Sequence, residues 1–224
     1  MNDLLGHICD RLPDMSYLIF LTIVIWVAAL LLKWKLPVLI GKSGENFVSR
    51  KLLDLDSHHY KVLDDLMLPS LGNLKTTQID HIVVSTYGVF CIETKSYSGW
   101  IFGNAHQQHW TQVIYRHKTR FYNPLRQNYA HVKAIEALIR PSFPTVPILG
   151  FVAFPSAEKL QVSGTDSVGQ ARDIVSKIES FKMPILSDLD VSKILQTLLD
   201  ANITDKKARK LHDRKAHALK MTNP

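Results

Sequence analysis

The sequence predicts one membrane-crossing helix followed by a soluble part of the α/β or α+β class, with a mixed sheet flanked by helices. Three observations carry this reading. Met15 to Leu32 is an 18-residue run without a charge. Gln78–Val84 and Val89–Lys95 are β-rich runs around Ser85-Thr86-Tyr87-Gly88, the pattern of a hairpin. The order of the remaining segments is helix, strands, helix, strand, helix, which calls for a mixed sheet. A chain of 224 residues has room for one ordinary core plus an appendage. Its 46% apolar and 21% charged content excludes wholesale disorder.

As a helix the uncharged run rises roughly 27 Å, close to the hydrocarbon thickness of a bilayer. All its backbone polar groups would be satisfied internally, as a spanning segment requires. Tyr17 and Trp34 stand near its ends, where amphipathic rings favour the interface. A cleaved signal peptide fits worse. The preceding stretch carries Asp3, Asp10 and Asp14 against Arg11, and Lys33-Trp34-Lys35 follows where a small-residue cleavage site would stand. Lys33, Lys35 and Lys42 lie beyond the run and Arg11 alone before it, which puts the C-terminal part in the cytoplasm. The two cysteines, Cys9 and Cys91, lie on opposite sides of the run, so no disulfide framework is expected.

Gly41-Lys42-Ser43-Gly44 reads as a linker, with Ser43 capping a helix whose stripe is Val48, Leu52 and Leu55. Short apolar runs follow at Tyr60–Leu63 and Leu66–Leu68, then a polar loop from Ser70 to Thr77. After the hairpin, Trp100–Phe102 and His109–Val113 read as strands. Asn123-Pro124 starts a helix that buries Leu125, Val132, Ile135 and Ile139. Ile148–Phe154 suits a strand covered on both faces. Helices at Ala171–Ser180 and Asp188–Asp200 close the fold, the second with a Ser187/Asp190 capping pair. Seven cations against one acid in residues 206–220 supply +6 of the net charge of +7. The basic signal therefore belongs to a tail, read as a solvated helix end, with anionic lipid or nucleic-acid phosphate as the minor alternative.

The hairpin concentrates the chemistry. Side chains alternate along a strand, so Glu93 and Lys95 point the same way. With the turn centred on Thr86-Tyr87, Asp80 faces Glu93. Centred on Tyr87-Gly88, it faces Lys95 with Glu93 on the diagonal. A three-residue turn would separate Asp80 from Glu93. In either two-residue register, opposite Cβ atoms lie ~5 Å apart and the carboxylates repel. A shared proton, the Lys95 ammonium or a divalent cation would offset that repulsion. Neutralising either acid should then leave the fold intact or slightly more stable. A solvated cross-strand ion pair is the plain alternative, disfavoured because Ile79, Ile82, Val83, Val84, Phe90, Cys91 and Ile92 make both strands largely apolar.

From Gly41 to about Phe154 the chain resembles the nuclease-related domain (NERD) family. The matching blocks are Gly44-Glu45, Gln78-Ile79-Asp80-His81, Tyr87-Gly88-Val89-Phe90 and Ile92-Glu93-Thr94-Lys95. Gly99, Gly103, Trp110, Asn123-Pro124-Leu125-Arg126-Gln127 and His131 follow in order. That family is similar to the PD-(D/E)xK nuclease superfamily. The resemblance implies a restriction-endonuclease-like fold, with Asp80 and Glu93 as ligands of Mg²⁺ or Mn²⁺. It also implies Lys95 as catalytic lysine, Glu45 as a helix-borne acid and Gln127 as a further catalytic residue.

The organisation expected is an N-terminal segment 1–36 with its span at 15–32, a nuclease-related domain at 41–155, a helical extension at 156–205 and a basic tail at 206–224. The function expected is a membrane-anchored, metal-dependent nuclease acting on phosphodiester bonds, in DNA before RNA, with the bilayer as its other partner. The alternative is a non-catalytic nucleic-acid or protein interaction module on the same fold. Among the other residues, His81 points to the opposite face from Asp80 and reads as a packed or surface histidine before a catalytic one. His131, one turn after Gln127, could line the site. Trp100 and Trp110 read as core or rim before base-stacking platforms. His58-His59 and His106/His109 lack a ligand set for zinc.

Overall fold

The computed structural model describes residues 15–72 and 74–222. Asp3, Cys9, Asp10, Arg11 and Asp14 lie outside the described residues, as do the side chains of Trp34 and Lys220. The chain divides between Lys42 and Ser43 into two compact units.

The first helix, α1 (Met15–Leu52), carries an 18-residue window of mean hydropathy 2.5, none of it buried. It is long and apolar enough to cross a membrane by length and composition. Leu, Ile, Val and Ala all round, with no glycine or proline before Pro37, explain why the apolar window is helical and why that window has no single buried stripe. The linker expected at Gly41–Gly44 is absent, because α1 runs through it. A helical glycine costs only ~1 kcal/mol relative to alanine. Gly44 offsets that cost by packing against Ser96 and Pro155, where a Cβ would lie 2.9 Å from the Ser96 Cβ and collide with its hydroxyl.

From Ser43 onward the strands are β1 (Tyr60–Pro69), β2 (Thr76–Ser85), β3 (Gly88–Thr94), β4 (Gly99–Asn104), β5 (His109–Ile114) and β6 (His117–Tyr122). Helix α2 (Pro124–Ile139) and strands β7 (Ile148–Ala153), β8 (Ala157–Ser163) and β9 (Val168–Gly169) follow. Helices α3 (Ala171–Glu179), α4 (Asp188–Asp200) and α5 (Lys206–Thr222) end the described chain. The class is α/β as expected, but the strands form two mixed sheets where one was expected. The first has the order β1-β2-β3-β7-β9, with β3, β7 and β9 parallel. The second has the order β6-β5-β4-β8, with β4 and β8 parallel. Residues 156–205, expected to be helical, thus also supply β8 and β9, one strand to each sheet.

The first sheet is covered on both faces. On one, Ile135 and Ile139 of α2 and Val191, Ile194 and Leu198 of α4 meet Ile82, Val84, Val89 and Cys91. On the other, Val48 and Leu52 of α1 and Ile174 and Ile178 of α3 meet Val83, Phe90, Ile92 and Phe151. A third cluster joins Ile101 and Trp110 of the second sheet to Val152 and Phe154. Gly103 lies against the Trp110 indole, in space that a Cβ would take from the ring.

The caps follow the sequence. Ser187 Oγ accepts the Asp190 N–H at 3.2 Å and Asp190 Oδ2 accepts the Ser187 N–H at 3.1 Å. Asn123 Oδ1 accepts the Leu125 N–H at 2.9 Å, while its Nδ2 donates to the carbonyls of Ala105 and Gln107. Asn123 thereby ties the start of α2 to the β4–β5 turn. The basic segment is a docked helix and not a free tail. Arg209 pairs with Asp65, and His212 Nδ1 lies 2.9 Å from Thr76 Oγ1. Lys206, Lys207, Lys210, Arg214 and Lys215 remain exposed.

Candidate active site

The β2–β3 turn is the two-residue Thr86-Tyr87 connection. Ser85 closes it, accepting the Tyr87 N–H and donating to the Gly88 carbonyl, each at 3.1 Å. Register runs from Ser85↔Gly88 to His81↔Ile92. Continued one residue, it sets Asp80 against Glu93, the first of the two registers the sequence allows. There Asp80 leaves the ladder: its Oδ2 accepts the Thr94 N–H at 2.7 Å.

Glu93 is 2% exposed and both its oxygens are engaged. Lys95 Nζ donates to Oε1 at 2.6 Å, and His131 Nε2 lies 3.0 Å from Oε2. Lys95 also donates to Gln127 Oε1 at 2.9 Å. Thr77 Oγ1 lies 2.6 Å from His131 Nδ1. Gln127 and His131 stand one turn apart on α2, which Asn128 seats by donating to the Cys91 carbonyl at 3.1 Å and the Phe151 carbonyl at 2.8 Å. The structure thus gathers Asp80, Glu93, Lys95 and Gln127. Glu45 follows Gly44, whose contact with Ser96 brings this part of α1 to the end of β3, and its charge acts on Asp80.

The electrostatics are unequal. Burial pushes Glu93 up, but Lys95 and then His131 outweigh it and hold its carboxyl at about 2. Burial and the Glu93 charge push Asp80 well above the usual carboxylate range. The Thr94 N–H and Lys95 pull against that shift, and Glu45 adds to it. Burial alone would lower Lys95, yet Glu93 raises it, so the ammonium is firmly protonated. Because Glu93 is ionised and can only accept, His131 Nε2 carries the hydrogen of their bond. Asp80 is the member with unmet negative charge on ionisation, next to Glu93 and within reach of Glu45. This donor set fits a hard divalent cation, which binds through carboxylates and offsets their repulsion. Among the described residues, no three His, Cys, Asp or Glu side chains already converge tightly enough to hold an ion.

Of the packed and surface positions left open for His81, the structure shows the packed one. Its Nδ1 lies 2.7 Å from Asp64 Oδ1 and its Nε2 3.2 Å from Thr94 Oγ1. Trp110 is core at 1% exposed, whereas Trp100 is 45% exposed. Sequence reasoning missed Thr77. His131 was signalled by its position four residues after Gln127. Thr77 carried no signal, since its role comes only from the crossing of β2 and α2.

The family described as the nuclease-related domain matches residues 40–155. An uncharacterised protein of Bacillus anthracis is 41% identical over 187 residues, covering 83% of this chain and 85% of that protein. The crystal structure of a protein of unknown function aligns at 13% identity with a TM-score of 0.30, over 78% of this chain and 95% of that one.

Proposed function

This chain belongs to the nuclease-related domain family, and on that premise we propose that it is a membrane-anchored, metal-dependent nuclease hydrolysing phosphodiester bonds, in DNA before RNA. The observation that carries the reading is the buried join of Glu93, Lys95 and Gln127, with Asp80 set against it. A lysine buried beside a carboxylate costs desolvation that a plain surface ion pair avoids. Asp80 and Glu93 would hold Mg²⁺ or Mn²⁺, with Glu45 as the third acid. When bound, such a cation lowers the pKa of a bound water and neutralises phosphate charge.

The remaining work falls to the chain. Lys95, kept protonated by Glu93, holds a phosphate oxygen and stabilises charge as it develops. Gln127 fixes the direction of the Lys95 ammonium by accepting one of its hydrogens. His131, held at Nδ1 by Thr77, orients the Glu93 carboxylate through Oε2. Asp80 stays anchored by the Thr94 N–H, which fixes one oxygen and leaves the other for a ligand. The anchor is the apolar window of α1, within a segment 1–36. Lys33, Lys35 and Lys42 beyond it favour a cytoplasmic domain. The catalytic domain is 41–155, completed by β8, β9, α3 and α4, with α5 as a basic appendage.

A second reading, a non-catalytic nucleic-acid or protein interaction module, is favoured by one observation. Both Glu93 oxygens are already taken by Lys95 and His131. Calorimetric titration of the full chain with Mg²⁺ and Mn²⁺, beside cleavage of duplex DNA, single-stranded DNA and RNA, separates the two. Metal-dependent cleavage supports the nuclease. Absence of metal binding and cleavage supports the module.

A further inference from the structure

We infer that the outward face of the second sheet is a platform for single-stranded nucleic acid, on which bases stack between cations. The inference rests on the nuclease reading only for its purpose, since binding can be measured without cleavage.

Pairing fixes which side chains share this face, because cross-strand partners point the same way. One row is Lys159, Trp100, Val113 and Lys118. The next is Gln161, Phe102, Thr111 and Arg120, and the third ends in His109 and Tyr122. The opposite face carries Ile101 and Trp110 in the core, with Gln112 and Thr119 toward its edge. The outward face is open: Trp100 is 45% and Tyr122 47% exposed, and Lys118, Arg120, Lys159 and Gln161 are exposed as well.

Its aromatic rings are ordered. Trp100 and Phe102 have centroids 6.3 Å apart, and Tyr122 meets His109 edge-on at 6.1 Å. Lys159 Nζ lies 4.7 Å from the centre of the Trp100 ring. Lys159 over one face of the Trp100 ring sets a cation beside an exposed aromatic surface, the pairing that a phosphate and its base call for. No acid stands in the three rows, while Lys118, Arg120 and Lys159 ring the aromatic centre. Glu158, the nearest acid in sequence, sits in the bulge where the β4–β8 register shifts between Gly99 and Trp100.

Charge and rings together select the occupant. Phosphates suit the three cations, and bases suit the rings whatever their identity. A duplex keeps its base faces stacked inside and cannot offer them to a flat sheet. The platform begins close to the candidate active site. Only Ser96 to Gly99 separate Lys95 from Trp100, which limits their Cα separation to roughly 17 Å. A strand lying on the sheet could run from Trp100 toward Lys95.

The test is fluorescence anisotropy with the full chain in neutral detergent and EDTA, using labelled oligothymidylate of about 15 nucleotides and a duplex of the same length. The parent is expected to prefer the single strand. Trp100→Ala should weaken that binding on the order of tenfold, within the range for loss of one base–aromatic stack. Trp100→Phe should recover most of it. Lys118→Ala and Arg120→Ala should each lower the slope of log affinity against log salt by about 0.7, one phosphate contact apiece. Unchanged binding by Trp100→Ala, preference for the duplex, or equal competition by inorganic polyphosphate overturns the inference. Trp100 is half-exposed and outside the core, so its variants should keep the parent's melting temperature. Single-strand binding without cleavage under Mg²⁺ or Mn²⁺ sinks the nuclease reading alone. Cleavage with Trp100→Ala binding as the parent does sinks the platform alone.

Discussion

At the scale of residues, Asp80 and Glu93 are opposites although both are acids on one hairpin. Simple repulsion suggests that neutralising either would be harmless or stabilising, and the structure overturns this for Glu93. Its carboxylate carries Lys95 on one oxygen and His131 on the other. Glu93→Gln leaves a largely buried ammonium without its counter-charge and should destabilise by on the order of 3 kcal/mol at neutral pH. The contribution from Glu93 is present above its ordinary value of 4.5 and is lost as pH falls toward about 2. Asp80 has the reverse sign. Its folded pKa lies well above 3.8, so through that window the folded state keeps a proton that the unfolded chain has shed. Stability then falls as pH rises through the window. Asp80→Asn should remove that fall and melt above the parent at neutral pH without metal, with the difference closing in acid. Denaturant unfolding between pH 4 and 8 checks both signs, and a lower neutral-pH stability for Asp80→Asn would contradict them. Lys95→Ala should retain metal binding by titration yet lose turnover. Lys95→Arg should not restore it, since a guanidinium is wider than an ammonium and its planar fork does not match a site for a compact charge.

At the scale of elements, one glycine sets two effects against each other. Gly44→Ala gains up to ~1 kcal/mol of helix propensity. It also drives a Cβ into Ser96, and overpacking of this kind costs ~1–3 kcal/mol. The clash should win, lowering the melting temperature and displacing Glu45 from Asp80. A variant as stable as the parent would show that α1 and the β3 end are not packed tightly here. The same contact explains why sequence reasoning placed a linker at Gly41–Gly44: propensity is local, and the contact lies over fifty residues away. The hairpin was legible because a two-residue turn and strict alternation leave few registers. Strand β1 was read as two short runs because Asp64-Asp65 interrupts its apolar residues, and in the structure Asp65 stands at φ 54° outside the register of β1 and β2 while the strand continues past it. Strand β6 is mostly polar and exposed, so it lacks the apolar alternation that marks a half-buried strand. Strand β8 alternates only over Lys159–Ser163, where Leu160 and Val162 are partly buried. Helix α5 hid its docking stripe among cations. Its Arg209–Asp65 pair is partly exposed and worth ~1 kcal/mol or less. Deleting residues 206–224 should therefore leave a folded domain by circular dichroism while weakening retention on anionic polymers. Collapse of the fold on deletion would show that α5 belongs to the core.

At the scale of the molecule, the apolar window and the buried acids make independent demands on the account. Mean hydropathy of 2.5 over 18 exposed residues should keep the full chain with membranes after alkaline extraction. The lysines beyond the window should leave its C-terminus open to protease only from the cytoplasmic side. A chain released by alkali, or cleaved only from outside, would remove the anchor or reverse it without touching the chemistry. The chemistry has its own most direct test. The full chain, in detergent with Mg²⁺ or Mn²⁺, is incubated with labelled DNA beside its Asp80→Asn variant, and the rate of strand cleavage is measured with and without EDTA. The account predicts metal-dependent cleavage by the parent and none by Asp80→Asn, although that variant is at least as stable at neutral pH. Equal cleavage by both, or cleavage that survives EDTA, would contradict it.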